Sequence, residues 1–289
     1  MHKLVRLVRF SINPFLPQPG AGFNSFCSKP AGEGLSMFFE LAVELAGQVQ
    51  PATGFVVNVT DIDRIVRENV VPIFDRRIKE DFRHRRHIGL AVVAELLQSA
   101  RDVLDDKFGA RQPDLTQQAS VSTLSLHLNP FRKIAIAPPD SEDRKMLYFS
   151  EKFEFAATHR LWNPQFSRSR NLEVFGRCAN PEGHGHNYIV EVTLKTPANE
   201  DFRIGDFQKT VHDCVIKHLD HKNLNADVAQ FRHTNPTVEN LAVFAWEELV
   251  GKFSRGRLHC VTVWENDRTS SSYFGDISGK ADKISKNAL

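Results

Sequence analysis

Little in this chain could hold it together covalently. Its four cysteines, Cys27, Cys178, Cys214 and Cys260, are scattered over 289 residues without a C-x-x-C pair. That excludes a zinc ribbon and a disulfide framework. They read as reduced thiols of a cytoplasmic protein, and a reduced thiol is free to act as nucleophile or base. An excess of one charge is also missing. Net charge is +2, with 17 Lys/Arg against 15 Asp/Glu in residues 1–140 and 20 against 20 in residues 141–289. Neither half has the basic excess of a nucleic-acid binder. No apolar run approaches the roughly 18 residues of a membrane span. Arg6 and Arg9 interrupt the apolar start, so neither a membrane nor secretion is expected. What remains is an ordinary globular composition, 41% hydrophobic and 25% charged, in a chain long enough to bury about three quarters of its unfolded surface without a staple.

Histidine is unevenly placed. Four of the 12 (His2, His84, His87 and His127) precede residue 140 and eight follow it. Metal and proton-transfer sites are built from imidazoles, which points to the second half for chemistry. The paired prolines of Ala137-Pro138-Pro139-Asp140, followed by charge, mark a connection near the middle of the chain. Each side of it reads β-β-α-α-β-β. The second half has alternating runs at Met146 to Ala157 and Tyr188 to Leu194, with a polar loop between them from about Trp162 to Gly185. A helix follows from Asp206, its candidate cap, to about Leu219, and another from about Thr237 to Phe253 with Thr237 as N-cap. Strands at His259 to Glu265 and up to Phe274 close the series. The first half repeats it faintly: strands at Leu4 to Phe15 and Met37 to Leu45, helices at Asp61 to Phe74 and Ile88 to Phe108, strands at Leu124–Leu128 and Lys133–Ala137. Asp61 and Asp75 have the same spacing as Asp206 and Asp220, and each pair is expected to bracket one helix. A tandem duplication is the reading.

The segment richest in chemistry is Phe175-Gly176-Arg177-Cys178-Ala179-Asn180-Pro181-Glu182-Gly183-His184-Gly185-His186-Asn187-Tyr188. His184 and His186 open a strand, and a period of two puts both imidazoles on one face. A third ligand would complete a facial tripod with an open position for water or substrate. His159, at the end of the preceding strand pattern, is the candidate. Two solvent-facing histidines would show the same H-x-H. Cys178 would suit proton abstraction if a metal or cationic imidazole stabilised its thiolate; alone, it is a loop cysteine. Asp220-His221 at a helix exit reads equally as C-terminal decoration and as part of a relay with a cysteine elsewhere. Glu265, ending an apolar strand, is either a solvated strand end or a bidentate acceptor for a ligand's amino-imine edge.

Taken together and in order, these segments resemble the 6-pyruvoyl-tetrahydropterin synthase family, which includes the 6-carboxytetrahydropterin synthases of queuosine biosynthesis. The matching blocks are Phe155-Ala156-Ala157-Thr158-His159, Asn171 to Cys178, Gly183 to Tyr188, Leu219-Asp220-His221-Lys222-Asn223-Leu224-Asn225, Pro236 to Ala242, and Val263-Trp264-Glu265. They span about Tyr148 to Gly275. The resemblance implies an α+β tunnelling fold, an antiparallel four-stranded sheet with two helices on one face. It further implies His159, His184 and His186 as zinc ligands, Cys178 as catalytic thiol with Asp220 and His221 as relay partners, and Glu265 as pterin anchor with Thr237 and Glu239 near the same pocket. The implied substrate is 7,8-dihydroneopterin triphosphate, which loses triphosphate. The implied assembly is a homo-oligomeric ring with sites between subunits. Asn266 departs from the threonine of many relatives. Five residues, Ala179 to Gly183, separate Cys178 from His184. That resembles the pyruvoyl-forming branch, the carboxy-forming enzyme being the alternative.

The first half lacks this chemistry. Phe10 to Leu16 has no histidine, Gly34-Leu35-Ser36-Met37 stands where Gly183-His184-Gly185-His186 would be, Asp75-Arg76 replaces Asp220-His221, and Asn129 or a neighbour falls at the Glu265 position. Cys27 is left without imidazoles. Residues 1–137 are therefore expected to form a degenerate copy without metal, 138–146 a linker, 147–276 the catalytic unit and 277–289 a tail. Two other classes compete. A non-catalytic pterin-binding module would have no need of Cys178 together with three histidines, and a zinc hydrolase would be expected to carry an H-E-x-x-H helix, which the chain lacks.

Overall fold

A computed structural model describes residues 1–16, 34–109, 119–138 and 141–275. Cys27, Pro139 and Asp140 of the expected linker, and the expected tail 277–289 lie outside the described residues. Among the described residues no helix is long and apolar enough to cross a membrane. The chain divides into two compact units, Met1–Phe149 with Thr196–Asp201, and Ser150–Lys195 with Phe202–Leu289.

The first unit has strands β1 (His2–Ile12), β2 (Met37–Gly47), β3 (Ala119–Asn129) and β4 (Arg132–Ile136), paired antiparallel in that order. Period-2 alternation sets one face inward: Val8, Phe10, Ile12, Leu41, Val43, Leu45, Leu124 and Leu126 are buried, whereas Val5 and Leu7 are exposed. Three helices follow β2. Asn58 caps α1 (Val59–Ile65) by accepting from Thr60 N at 3.0 Å. A π turn at Val66–Val70 leads into α2 (Val71–Arg83). Pro72 stands at that junction, where a missing N–H and a bulky ring disrupt the regular i→i−4 ladder. In α3 (Leu90–Gly109), Leu90, Val93, Ala94, Leu97, Ala100, Leu104 and Phe108 form the buried stripe. Its first turn is tied by Asp201, whose carboxylate accepts from Ala91 N at 2.9 Å. Gly89 permits this approach, since a Cβ there would lie 2.5 Å from that carboxylate.

The second unit has the same order. β5 (Met146–His159), which belongs to this unit from Ser150 on, neighbours β6 (His184–Pro197). Between them the expected polar loop instead holds α4 (Arg168–Phe175) and a 3-10 turn, Gly176–Ala179. Ser167 caps α4 by accepting from Arg170 N at 3.1 Å, a local signal the hydrophobic pattern does not carry. Then come α5 (Ile204–Val211), a π turn at His212–Ile216, α6 (Lys217–Leu219), β7 (Lys222–Asn223), α7 (Leu224–Asp227) and α8 (Val238–Leu249). β8 (Arg257–Asn266) and β9 (Thr269–Tyr273) complete the sheet. β8 pairs antiparallel with β6, Ile189 opposite Trp264, and with β9. β7 pairs parallel with β5, Ala157 opposite Lys222. The architecture is α+β, an antiparallel four-stranded T-fold sheet with helices in each unit.

Several local expectations shift. Asp206 is not the cap of α5. Arg203 holds that position without a side-chain bond, and Asp206 sits in the first turn, where its charge meets the helix dipole. Thr237 does cap α8, its hydroxyl accepting from Asn240 N at 3.4 Å. The bracketing by paired aspartates fails in the first unit. Asp75 lies inside α2 and pairs with Lys79 at 3.0 Å, whereas Asp220 ends α6.

Candidate metal centre and thiol site

The site grows out of strand alternation. On β5, Phe155, Ala157 and His159 point to the buried side; on β6, His184 and His186 precede Tyr188, Val190 and Val192 on one face. Three imidazoles therefore meet at one end of the core. One ligand nitrogen from each of His159, His184 and His186 lies within 4.8 Å of the others. His159, 2% exposed, donates Nδ1–H to the carbonyl of Pro236 at 2.9 Å, which leaves its Nε2 lone pair facing inward. That Nε2 is 3.1 Å from His184 Nε2. Nitrogens bound at about 2.0–2.1 Å to one tetrahedral metal stand roughly 3.4 Å apart, so the spacing fits. His186 Nε2 and His184 Nδ1 are buried without a hydrogen-bond partner. Burial, reinforced by the neighbouring imidazoles, pushes His159 and His186 down in pKa, towards the neutral form that binds metal. The cluster is a competent cradle for a divalent cation. Among the described residues it is the group whose donors converge in this way.

Cys178 lies beside it in the 3-10 turn, Sγ 3.8 Å from His184 Nε2. The turn is fastened by its own backbone, Cys178 O accepting from Leu161 N at 2.8 Å. Burial pushes the thiol up, and the charge of Glu265 adds to this. Glu265 Oε1 is 3.4 Å from His186 Nε2 and 3.6 Å from His159 Nε2. The structure thus brings together His159, His184, His186, Cys178 and Glu265. Asp220 and His221 are not bonded to this group, although His221 lines a hollow of about 460 Å³ that His186 also borders. Asp220 Oδ1 accepts from Ala156 N at 2.9 Å, and its other oxygen is 2.9 Å from His221 Nδ1. The backbone bond to Ala156 is the first cause of a lowered Asp220 pKa. His221 is 83% exposed, and neither residue bonds Cys178 among the described residues. Thr237 is occupied as the cap of α8 and Glu239 is exposed in its first turn.

Sequence reasoning assigned no role to three residues that support the site. Pro236 orients His159 through its carbonyl. Tyr188 packs its ring on Phe155, centroids 4.9 Å apart, with its hydroxyl 3.3 Å from His159 Nδ1. Asn171, fully buried, bonds Asn163 N and the carbonyls of Asn163, Phe166 and Ser167, fixing the loop before Cys178. All three lie in the matching blocks; their side-chain type gave no further signal. In the first unit the corresponding strand ends carry Phe10, Ile12 and Phe39 in the core, and an apolar hollow of about 380 Å³ is lined by Phe15, Leu35, Met37, Ile78 and Phe82. Counted from the β3–β4 and β8–β9 turns, Asn129 corresponds to Asn266, so Leu128 stands at the register of Glu265.

A T-fold unit with three convergent imidazoles, a neighbouring thiol and a carboxylate defines a T-fold protein with a candidate metal centre. Residues 148–276 match the family described as 6-pyruvoyl tetrahydropterin synthase. The chain is 38% identical over 133 residues to the 6-pyruvoyl tetrahydrobiopterin synthase of Drosophila melanogaster, covering 44% of this chain and 79% of that protein. It is 39% identical over 131 residues to that of Homo sapiens, covering 44% and 90%. Among solved structures, the 6-pyruvoyl tetrahydropterin synthase of Caenorhabditis elegans is 32% identical and covers 45% of this chain and 96% of its own, with a TM-score of 0.43. The chain belongs to the 6-pyruvoyl tetrahydropterin synthase family.

Proposed function

We propose that the second unit is a zinc-dependent lyase that converts 7,8-dihydroneopterin triphosphate to 6-pyruvoyl-tetrahydropterin with loss of triphosphate. The observation that carries this is the thiol of Cys178 3.8 Å from an imidazole of the three-histidine cluster: a base beside a metal cradle. His159, His184 and His186 would hold the zinc, which would supply Lewis acidity towards the hydroxyls of the substrate side chain. Cys178 then removes the carbinol proton, its thiolate favoured once positive charge offsets the burial. Glu265, 20% exposed and facing the same cleft, accepts from the amino-imine edge of the pterin. Thr237 and Glu239, at the start of α8, border the pterin side of the pocket.

In this reading Asp220 and His221 are the relay for the thiol. Because they do not pair with Cys178 of their own chain, the relay acts across a boundary between copies in a homo-oligomer. Among the described residues β1 and β9 each pair on one side alone, and such open edges invite pairing with another copy. Residues 1–137 then form a degenerate copy of the second unit, metal-free and architectural, and the protein acts in the cytoplasm. Mass spectrometry of the product formed from the triphosphate tests the assignment. A 6-pyruvoyl product with equimolar inorganic triphosphate is expected; a 6-carboxy product would move the protein to the other branch of the family.

A further inference from the structure

The carbonyl that orients His159 is itself placed by a side-chain amide, that of Asn240. Pro236 O accepts from His159 Nδ1 at 2.9 Å. The same nitrogen has a second neighbour, the Tyr188 hydroxyl, at 3.3 Å. The two partners differ in kind. A carbonyl only accepts, so it requires the proton on Nδ1 and leaves Nε2 as a lone pair. A hydroxyl can also donate. Left alone with Nδ1, it would allow the tautomer with the proton on Nε2, the atom 3.1 Å from His184 Nε2. That tautomer has no Nε2 lone pair to give to a cation. The position of Pro236 O therefore decides whether His159 can serve as a ligand through Nε2.

Proline makes that position hard to fix locally. It has no N–H, so hydrogen bonds can grip the Asn235–Pro236 peptide only at the Asn235 carbonyl. Two donors grip it there, Asn240 Nδ2 at 2.8 Å and Thr237 N at 2.9 Å. Asn240 stands in the first turn of α8, which is anchored by buried Val238, Leu241 and Ala242. On the other side, Asn235 Oδ1 accepts from Trp162 N at 2.9 Å, three residues beyond His159. Asn235 thus ties the exit of β5 to the start of α8, and the next carbonyl along the chain meets the His159 ring. We infer that Asn240 is a positioning residue of the metal centre: through the Asn235 carbonyl it holds Pro236 where His159 keeps its proton on Nδ1 and offers Nε2 to the cation. This rests on the reading of the three histidines as a zinc cradle and not on the lyase chemistry.

Asn240→Asp in the full chain separates this role from a structural one. The carboxylate has nearly the same size and no N–H to donate at neutral pH. In the first turn of a helix its charge is favourable, so the fold and Tm should be kept. Zinc, measured by competition with a chromophoric chelator, should bind about 10–100-fold more weakly, as when the support of a ligating histidine is lost. In the metal-free chain, long-range ¹H–¹⁵N NMR of the imidazoles should show His159 with its proton on Nδ1 in the wild type and a mixture of tautomers in the variant. Val243→Ala, half-buried farther along α8, should lower Tm and leave both readouts unchanged. If Asn240→Asp fails to fold by circular dichroism, Asn240→Ala decides by the same two readouts. Wild-type zinc affinity in a folded Asn240 variant, an unmoved tautomer, or an equal loss of affinity in Val243→Ala overturns the inference. A wild-type chain that binds no zinc would sink the zinc-dependent reading, and the tautomer measurement would then decide the role of Asn240 alone. Zinc binding that depends on Asn240, without any turnover of the pterin triphosphate, would sink the lyase and leave this inference standing.

Discussion

At the scale of single residues, the proposed function separates holding a cation, given to the three histidines, from moving a proton, given to Cys178. The three imidazoles are buried or half-buried, and burial biases His159 and His186 towards the neutral form, whereas Cys178 touches the cluster through His184 without being one of its converging donors. Removing the thiol should therefore leave the cradle intact. Cys178→Ala is expected to keep stoichiometric zinc by atomic absorption and a native melting curve while losing about 10²–10⁴-fold in turnover, the usual contribution of a positioned base. Loss of zinc in that variant would make Cys178 a ligand, and near-normal turnover would reassign the base.

Elements set the geometry of that cradle, and two short connections do most of it. Gly183 precedes the first histidine of β6 with φ +71°, and a Cβ there would lie 2.8 Å from the carbonyl oxygen of His159. A side chain at this point strains the left-handed backbone by about 1–2 kcal/mol and drives β5 and β6 apart where their imidazoles converge. Gly183→Ala should weaken zinc binding by about 10–100-fold, as disturbing the support of a ligand does, measured by competition with a chromophoric chelator; unaltered affinity would show that the turn tolerates a Cβ. The second connection is the exit of α6. Asp220 is held below the usual carboxylate range, first by the Ala156 N–H and also by His221. A lowered folded pKa gives stabilisation that is full above the unfolded value of about 3.9 and is lost as pH falls through the folded value. Asp220→Asn should accordingly lower Tm at pH 7, with the difference shrinking as pH drops below the unfolded value of about 3.9 and lost once pH has fallen through the lower folded value. A Tm gap independent of pH would refute the ionic origin.

For the whole molecule the decisive feature is that Asp220 and His221 do not reach the Cys178 of their own chain, which motivates the relay across copies. Two inactive proteins, Cys178→Ala and His221→Ala, should then rescue one another when co-expressed, since some boundaries in a mixed oligomer join an intact thiol to an intact relay. Activity clearly above that of either variant alone is the expected result; none in a verified mixed oligomer would confine the relay to one chain. Among the described residues the first unit has no counterpart of the three-histidine cluster. Phe10 and Ile12 fill its core near the strand ends where the second unit has imidazoles, and Leu128 stands at the register of Glu265.

Local physics was legible in the amino-acid order. Strand alternation put His184 and His186 on one face, Thr237 announced the start of α8, and the lack of histidine at the positions matching His159, His184 and His186 set the first half apart from the second. Each of these depends on residues within a few positions of one another. Other features were decided by tertiary contacts. α2 runs through Asp75 because its apolar side, with Phe74 and Ile78, is buried. The tautomer of His159 is fixed by Pro236, 77 residues away, and the position of Asp220 by Ala156, 64 residues away. The first turn of α3 is tied by Asp201, 110 residues beyond Ala91. A backbone period or a helix cap is written in adjacent side chains. A hydrogen bond between distant segments exists only after the sheet and helices have brought them together, and no local pattern encodes which partner will arrive.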